Sequence, residues 1–273
     1  MIQTVIEMMS HTFIQRAVLV GTLVSLCAAL LGVSLVLKRY SMIGDGLSHV
    51  GFGVLTVATA LGFATPLYIA IPCVTISAIV LLKIGNNSKI KSDSAIALIS
   101  SSALAIGVAV TSVTTGMNTD VCNFMFGSIL AMSKSDVYLS VAVSIIVALL
   151  FIVYYRKLFV VTFDESFAKA SGLKATRYTN IIAILTALII VIGMRMMGVM
   201  LISSIIIFPA LTSMRIFKSF KGVVISSAVI SVLSFLMGIY LSYVYNISTG
   251  AMIVIVNLVL FILFSIIEKI IHE

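Results

Sequence analysis

The chain has 273 residues, of which 61% are hydrophobic and only 10% carry a charge. A soluble domain is about half apolar and about a quarter charged, so this composition excludes an ordinary soluble protein and indicates a polytopic membrane protein. The net charge of +8 does not indicate a nucleic-acid partner, because membrane proteins concentrate Lys and Arg in cytoplasmic loops. No polar stretch is long enough for a separate domain, and residues 1–273 are expected to form one transmembrane domain.

Apolar runs of nearly membrane-spanning length predict an all-α protein with eight or nine transmembrane helices, since about 20 residues cross a bilayer. In chain order the predicted spans are residues 13–37, 40–62, 65–83, 95–115, 137–155, 180–193, 198–214, 223–245 and 249–267. Residues 116–136 form the least regular stretch between spans, and a short or re-entrant helix is expected there.

The distribution of basic residues predicts the topology. If the loops after the first, third, fifth, seventh and ninth spans share one side of the membrane, that side holds every Lys and Arg except Arg16, Lys134 and Arg195. The positive-inside rule makes this side cytoplasmic. We therefore expect a cytoplasmic carboxyl terminus and, with nine spans, an amino terminus on the outer side.

The second span carries two ionisable residues, Asp45 and His49. Ionisable side chains are costly inside a membrane and usually mark a functional site. Positions i and i+4 share one face of a helix, so the two side chains would offer an oxygen and a nitrogen ligand to the same point. This pair is predicted to bind a divalent transition metal. The alternative is a buried ion pair between helices, or a helix cap formed by Asp45.

Small residues surround the pair, with Gly44, Ser48 and Gly51 on one stripe of the helix. Such stripes let neighbouring backbones approach closely, and they are expected to line or pack around a narrow pore. Two copies of the chain would supply two Asp and two His ligands, a set that suits zinc and is acceptable to manganese. Because a protonated imidazole cannot bind a metal, transport is expected to weaken as the pH falls.

A polar interval of about residues 156–178 follows the fifth span. Its segment from Asp164 to Ala175 is typical of a short amphipathic helix that ends at Gly172. Such a helix can fit a groove on a cytoplasmic partner; the alternative is a solvated loop.

Three further features bear on function. Pro209 is expected to kink the seventh span and so to shape either a gate or the packing. The run from Met194 to Met197, with Met200, is either helix packing or a soft copper(I) site, and packing is the commoner role of methionine. There is no P-loop motif and no nucleophile–base pattern, so the chain is not expected to be an enzyme.

Three motifs in this order resemble the permease subunit of bacterial zinc/manganese-importing ABC transporters. They are Gly-Asp-x-x-Ser-His ending at His49, Glu-x-x-Ala-x-x-x-Gly from Glu165 to Gly172, and the segment from Met197 to Ala210. The first and third are distinctive of that family, whereas the second is shared in outline with iron-chelate and vitamin B12 permeases. The resemblance runs over nearly the whole chain.

The resemblance implies a type II importer fold in the bacterial plasma membrane. Two permease copies would form a homodimer around a central path, with two cytoplasmic ABC ATPase subunits and an extracytoplasmic metal-binding protein as partners. Glu165, Ala168 and Gly172, with Asp164 before them, would form the helix that couples to the ATPase. Asp45 and His49 would meet the ion, zinc or manganese, which is cargo and not a permanently bound cofactor.

Three other functions remain open from the sequence. A proton-coupled secondary metal transporter would use Asp45 and His49 as a proton relay, and an ABC permease for a metal chelate would share the fold. A purely structural membrane subunit would use the pair only to hold helices together.

Overall fold

The computed structural model describes residues 7–63, 65–87, 92–114, 127 and 134–272. Within these ranges all regular structure is helical, as the sequence predicted. The helices are α1 (Thr12–Leu37), α2 (Ile43–Ala60), α3 (Pro66–Asn87), α4 (Ser92–Val113), α5 (Lys134–Phe163), α6 (Glu165–Ala170), α7 (Ala175–Met197), α8 (Val199–Ile216), α9 (Phe220–Tyr245) and α10 (Thr249–His272). The helix expected within residues 116–136 falls largely outside the described residues.

Eight of these helices are long and apolar enough to cross a membrane, which fits the predicted eight or nine spans. The other long helix, α2, is not among the eight. It carries Asp45, His49 and several glycines, which dilute its apolar character. Among the long helices of the described chain, the one outside the eight candidate spans is therefore the one with the predicted metal ligands.

Helices α1, α7 and α8 form the interior of the bundle, while α4, α5 and α10 bury few of their residues. Helix α1 packs against α5, α7, α8 and α9, and α2 packs mainly against α3 and α4. Buried serines line the α1–α9 contact, where the Ser231 hydroxyl donates to the Ser25 carbonyl at 2.9 Å. Small side chains at such contacts let helices approach closely.

Contacts between helix ends show which ends share a side of the bundle. The end of α1 meets α6 through Lys38 and Glu165, and the ends of α8 and α10 meet through Arg215 and Glu268. Phe220 at the start of α9 packs on the aromatic residues that end α5. We call this end of the bundle the basic side.

At the other end of the bundle, which we call the opposite side, Arg195 near the end of α7 pairs with Asp136 at the start of α5, 2.9 Å apart. For the helices joined by these contacts, the ends alternate as the sequence predicted. Which side faces the cytoplasm stays a prediction from the positive-inside rule.

The interval of residues 156–178 is more helical than its polar composition predicted. Helix α5 continues past the predicted end at Tyr155 to Phe163, and α7 begins at Ala175. Arg and Lys are good helix formers, so Arg156 and Lys157 do not end α5. The chain turns instead at Asp164, which caps the next helix.

Candidate functional site

A tight turn places Asp45 in the first turn of α2. Helix α1 ends with hydrogen bonds from the Arg39 N–H to the Val36 carbonyl and from the Tyr40 N–H to the Leu35 carbonyl. This is the Schellman pattern, and Arg39 takes its left-handed position with a φ of 61°. Helix α2 then begins at Ile43, so the Asp45 carboxylate lies where the helix dipole favours a negative charge.

His49 follows one turn later on the same face of α2. Its Nε2 atom lies 3.6 Å from the Asp45 Oδ1 atom, with the His49 side chain 19% exposed and the Asp45 side chain 40% exposed. The His49 Nδ1 atom is buried and has no hydrogen-bond partner among the described residues. The structure thus brings the two predicted ligand atoms together.

Asp45 lies in the wall of a cavity of about 510 Å³. The rest of the wall comes mainly from α8 and α10, and comprises Met197, Met200, Leu201, Ser203, Ser204, Gly250, Ala251, Val254 and Ile255. Met197 ends α7 and Gly250 begins α10, so the cavity extends from Asp45 towards the opposite side of the bundle. Apart from Asp45 and two serines, its wall is apolar.

The small residues around the pair lie against neighbouring helices. A Cβ atom at Gly44 would lie 3.4 Å from Ile206 of α8, and one at Gly51 would overlap the thioether of Met194 in α7. Ser48 is fully buried and donates to the Asp45 carbonyl at 2.7 Å. These residues pack α2 against the bundle interior at the level of the ligand pair.

Pro209 and the methionines from Met194 to Met200 differ in whether they reach the cavity next to Asp45. Pro209 is buried inside α8 but is not part of the cavity wall next to Asp45. Met194 and Met196 belong to the buried core, whereas Met197 and Met200 reach the cavity. The methionine run is therefore divided between packing and the cavity wall.

The predicted amphipathic helix is α6, and both of its ends are capped. The Asp164 carboxylate accepts a hydrogen bond from the Phe167 N–H at 2.9 Å, an N-cap interaction. Gly172 follows the helix with a φ of 81°, and a second Schellman pattern joins Leu173 to Ala168. Ala168 is fully buried in a small cluster with Val161 and Ala175.

Glu165 ties α6 to the rest of the basic side. Its two carboxylate oxygens accept from Lys38 at 3.4 Å and from Lys169 at 3.0 Å. Partial burial acts to raise the pKa of Glu165, but the hydrogen bonds and charges of Lys169 and Lys38 outweigh it and lower the pKa below 4.5. Burial lowers the pKa of Lys38 from 10.5, and the charge of Glu165 offsets part of that effect.

Lys38 and Thr179 are polar residues of this region that sequence reasoning did not single out. The Lys38 ammonium group donates to the Thr179 hydroxyl at 2.9 Å. In the sequence, Lys38 is one basic residue among several at span ends, and only its burial distinguishes it. No local pattern signals that burial.

Comparison with known proteins identifies the family. The model of the ABC 3 transport family matches residues 10–268. The chain belongs to the ABC 3 transport family. This confirms the resemblance to metal-importing ABC permeases, and such permease subunits are not themselves enzymes.

Relatives of this chain are named for the transport of different metals. The manganese import system permease protein ScaB of Streptococcus gordonii is 30% identical, over 92% of this chain and 89% of the relative. The high-affinity zinc uptake system membrane protein ZnuB of Haemophilus influenzae is 32% identical, over 90% of this chain and 94% of the relative. Similar overall identity thus accompanies two different metals.

A solved structure supports the fold. PsaBC from Streptococcus pneumoniae in complex with Fab has a TM-score of 0.86 and 29% identity, covering 97% of this chain and 95% of the solved chain. The chain is a multi-pass membrane permease of an ABC metal importer.

Proposed function

We propose that this permease imports divalent transition metal ions, zinc in preference to manganese, and that Asp45 and His49 are its ligands on the ion path. The observation that carries the proposal is the Asp45–His49 pair, of which Asp45 lines a cavity between the helices of a membrane bundle. An exposed carboxylate beside an imidazole nitrogen is a donor set for such ions.

The spacing of the two donors supports zinc. Two ligands bound to zinc at about 2.0–2.1 Å with tetrahedral angles lie about 3.4 Å apart. The Oδ1 and Nε2 atoms are 3.6 Å apart, so a small rotation of either side chain suffices for both to bind one ion. Octahedral manganese accepts the same atoms but needs more ligands.

A second copy of the chain would complete the site. The described residues contain no group of three or more His, Cys, Asp or Glu side chains that can hold a metal. One chain offers two ligands at this position, and a tetrahedral ion needs four. We therefore propose a homodimer in which the Asp45–His49 pairs of two chains face one central path.

The partners follow from the two sides of the bundle. On the basic side, which we assign to the cytoplasm, α6 presents Phe167 with 62% exposure beside the capped ends of the helix. We propose that α6 docks on a separate ABC ATPase subunit, one for each permease. An extracytoplasmic metal-binding protein delivers the ion at the opposite side, where the cavity leads from Asp45.

Reconstitution of the permease with its ATPase and binding protein in liposomes tests the function. We expect ATP-dependent uptake of zinc exceeding that of manganese, and its loss in Asp45→Ala and His49→Ala variants that still assemble. Asp93→Ala and His11→Ala are matched controls, since both residues are exposed and neither lines the cavity. Uptake at the wild-type rate in both ligand variants would overturn the assignment.

The same liposomes distinguish an ATP-driven importer from the alternative, a proton-coupled transporter. A proton-coupled transporter needs no ATPase, so the permease alone would take up metal when a pH gradient is applied. We expect no uptake in that arrangement. Gradient-driven uptake without ATP would refute an ATP-driven importer.

A further inference from the structure

Lys38 joins three helices on the basic side through one buried ammonium group. Its side chain is only 8% exposed, although it is a charged residue at the end of a membrane-spanning helix. The ammonium donates to Glu165 of α6 at 3.4 Å and to Thr179 of α7 at 2.9 Å. A buried charge must keep such partners, because an unpaired one is costly.

The chain from Lys38 to Asp45 is short and internally hydrogen-bonded. Lys38 is the C-cap of α1, and the Schellman turn at Arg39 leads directly into α2. The Ile43 N–H donates to the Tyr40 carbonyl at 3.0 Å, and the Gly46 N–H donates to the Met42 carbonyl at 3.0 Å. Lys38 and the first turn of α2 are therefore joined by one compact, hydrogen-bonded turn.

We propose that Lys38 is a positioning residue that couples movement of α6 to the position of Asp45. The inference rests on the proposed function, in which α6 docks on the ATPase and Asp45 binds the ion. When α6 moves, the Lys38–Glu165 contact moves the turn that carries α2. Asp45 then shifts relative to the cavity.

Both partners of the Lys38–Glu165 ion pair have a second interaction available. If Glu165 leaves Lys38, it still pairs with Lys169 at 3.0 Å on its own helix. Lys38 in turn still donates to the buried Thr179 hydroxyl. Each partner keeps one interaction when the contact breaks, so neither group is left wholly unpaired in the second arrangement.

The experiment measures metal transported per ATP hydrolysed by the complete reconstituted importer. We expect Lys38→Gln to lower this ratio roughly tenfold, since a hydrogen bond to a charged group has been lost, while ATP hydrolysis continues at the wild-type rate. Lys38→Arg keeps the charge and should restore much of the ratio. Lys218→Gln, an exposed lysine on the same side, is the matched control and should have no effect.

A double-mutant cycle separates coupling from stability. If Lys38 acts through Glu165, the variant with both Lys38→Gln and Glu165→Gln should have the same ratio as either single variant. Additive losses, or a wild-type ratio in Lys38→Gln, would overturn the coupling role. Should Lys38→Gln not assemble, Glu165→Gln alone must lower the ratio, and a wild-type ratio there would also overturn it. Absence of ATP-driven uptake in the wild type would instead refute the proposed function.

Discussion

At the scale of single residues, Gly172 shows how backbone geometry serves the proposed docking helix. Its φ is 81°, and a Cβ atom there would meet nothing within 4 Å, so a substitution introduces backbone strain without a clash. Gly62 at the end of α2 has a φ of 79° and equally open surroundings, but it lies on the opposite side. The two glycines form a matched pair.

We expect Gly172→Ala and Gly62→Ala each to lower the free energy of unfolding by about 1 kcal/mol, since left-handed backbone disfavours a side chain. Only Gly172→Ala should weaken binding of the ATPase subunit. Thermal unfolding in detergent and an ATPase-binding titration measure the two effects. Equal loss of ATPase binding in both variants would contradict a specific role for the end of α6.

The lowered pKa of Glu165 predicts how the thermal stability of the protein depends on pH. Its pKa in the folded protein is lowered below 4.5, so its carboxylate stabilises the fold fully above pH 4.5 and loses that effect as the pH falls through the lower folded value. We expect wild type to unfold at a higher temperature than Glu165→Gln from pH 7 to pH 5, roughly the range above its ordinary pKa. The difference should shrink on further acidification, and its disappearance already by pH 5 would contradict the ion-pair geometry.

Sequence reasoning found some of these residues and missed others for a physical reason. Asp164 and Gly172 are recognisable because caps act on neighbouring backbone groups, a few residues away. Lys38 is not recognisable, because its partners Glu165 and Thr179 are 127 and 141 residues away in the chain. Only the packing of α1 and α6 against α7 brings them together.

At the scale of helices, the approach of α1 and α2 to α8 depends on glycines that both face Ile206. A Cβ atom at Gly32 of α1 would overlap the Ile206 carbonyl, which is backbone and cannot rotate away. A Cβ atom at Gly44 of α2 would lie 3.4 Å from the Ile206 Cδ1 atom, the flexible end of a side chain. The α1–α8 contact is therefore the less tolerant of the two.

We expect Gly32→Ala to destabilise the fold by about 1–3 kcal/mol, the usual cost of overpacking. Gly44→Ala should change stability little, because the small contact is offset by the better helix propensity of alanine. Thermal unfolding of both variants in one detergent is the measurement. A larger loss for Gly44→Ala would contradict the helix arrangement.

Helix existence followed from the sequence better than helix ends did. The apolar runs predicted every long helix of the described chain. Inside a bilayer the backbone groups of an apolar segment must be hydrogen-bonded within the protein, and a helix achieves this. The end of α5 at Phe163 was not predicted, because Arg156 and Lys157 indicate the end of an apolar run without ending the helix. The end is fixed instead by the cap at Asp164 and by packing of α6.

At the scale of the whole molecule, the alternation of helix ends was predictable, whereas the cavity was not. Charge bias alone predicted that Lys38 and Glu165 share a side, and their contact places them there. The cavity depends on how α2, α8 and α10 meet, and it brings Met197 and Met200 within the same wall as Asp45. Binding of the ion by the methionine sulfur atoms of this wall is therefore the alternative to binding by Asp45 and His49.

The measurement that tests the central claim most directly is zinc bound per permease chain, combined with X-ray absorption at the zinc edge. If two chains share the site as proposed, the purified permease should bind one zinc ion per two chains, with oxygen and nitrogen neighbours at about 2.0–2.1 Å, and Asp45→Ala should abolish this binding. One ion per chain, or sulfur neighbours in place of oxygen and nitrogen, would contradict a site shared by Asp45 and His49 of two chains.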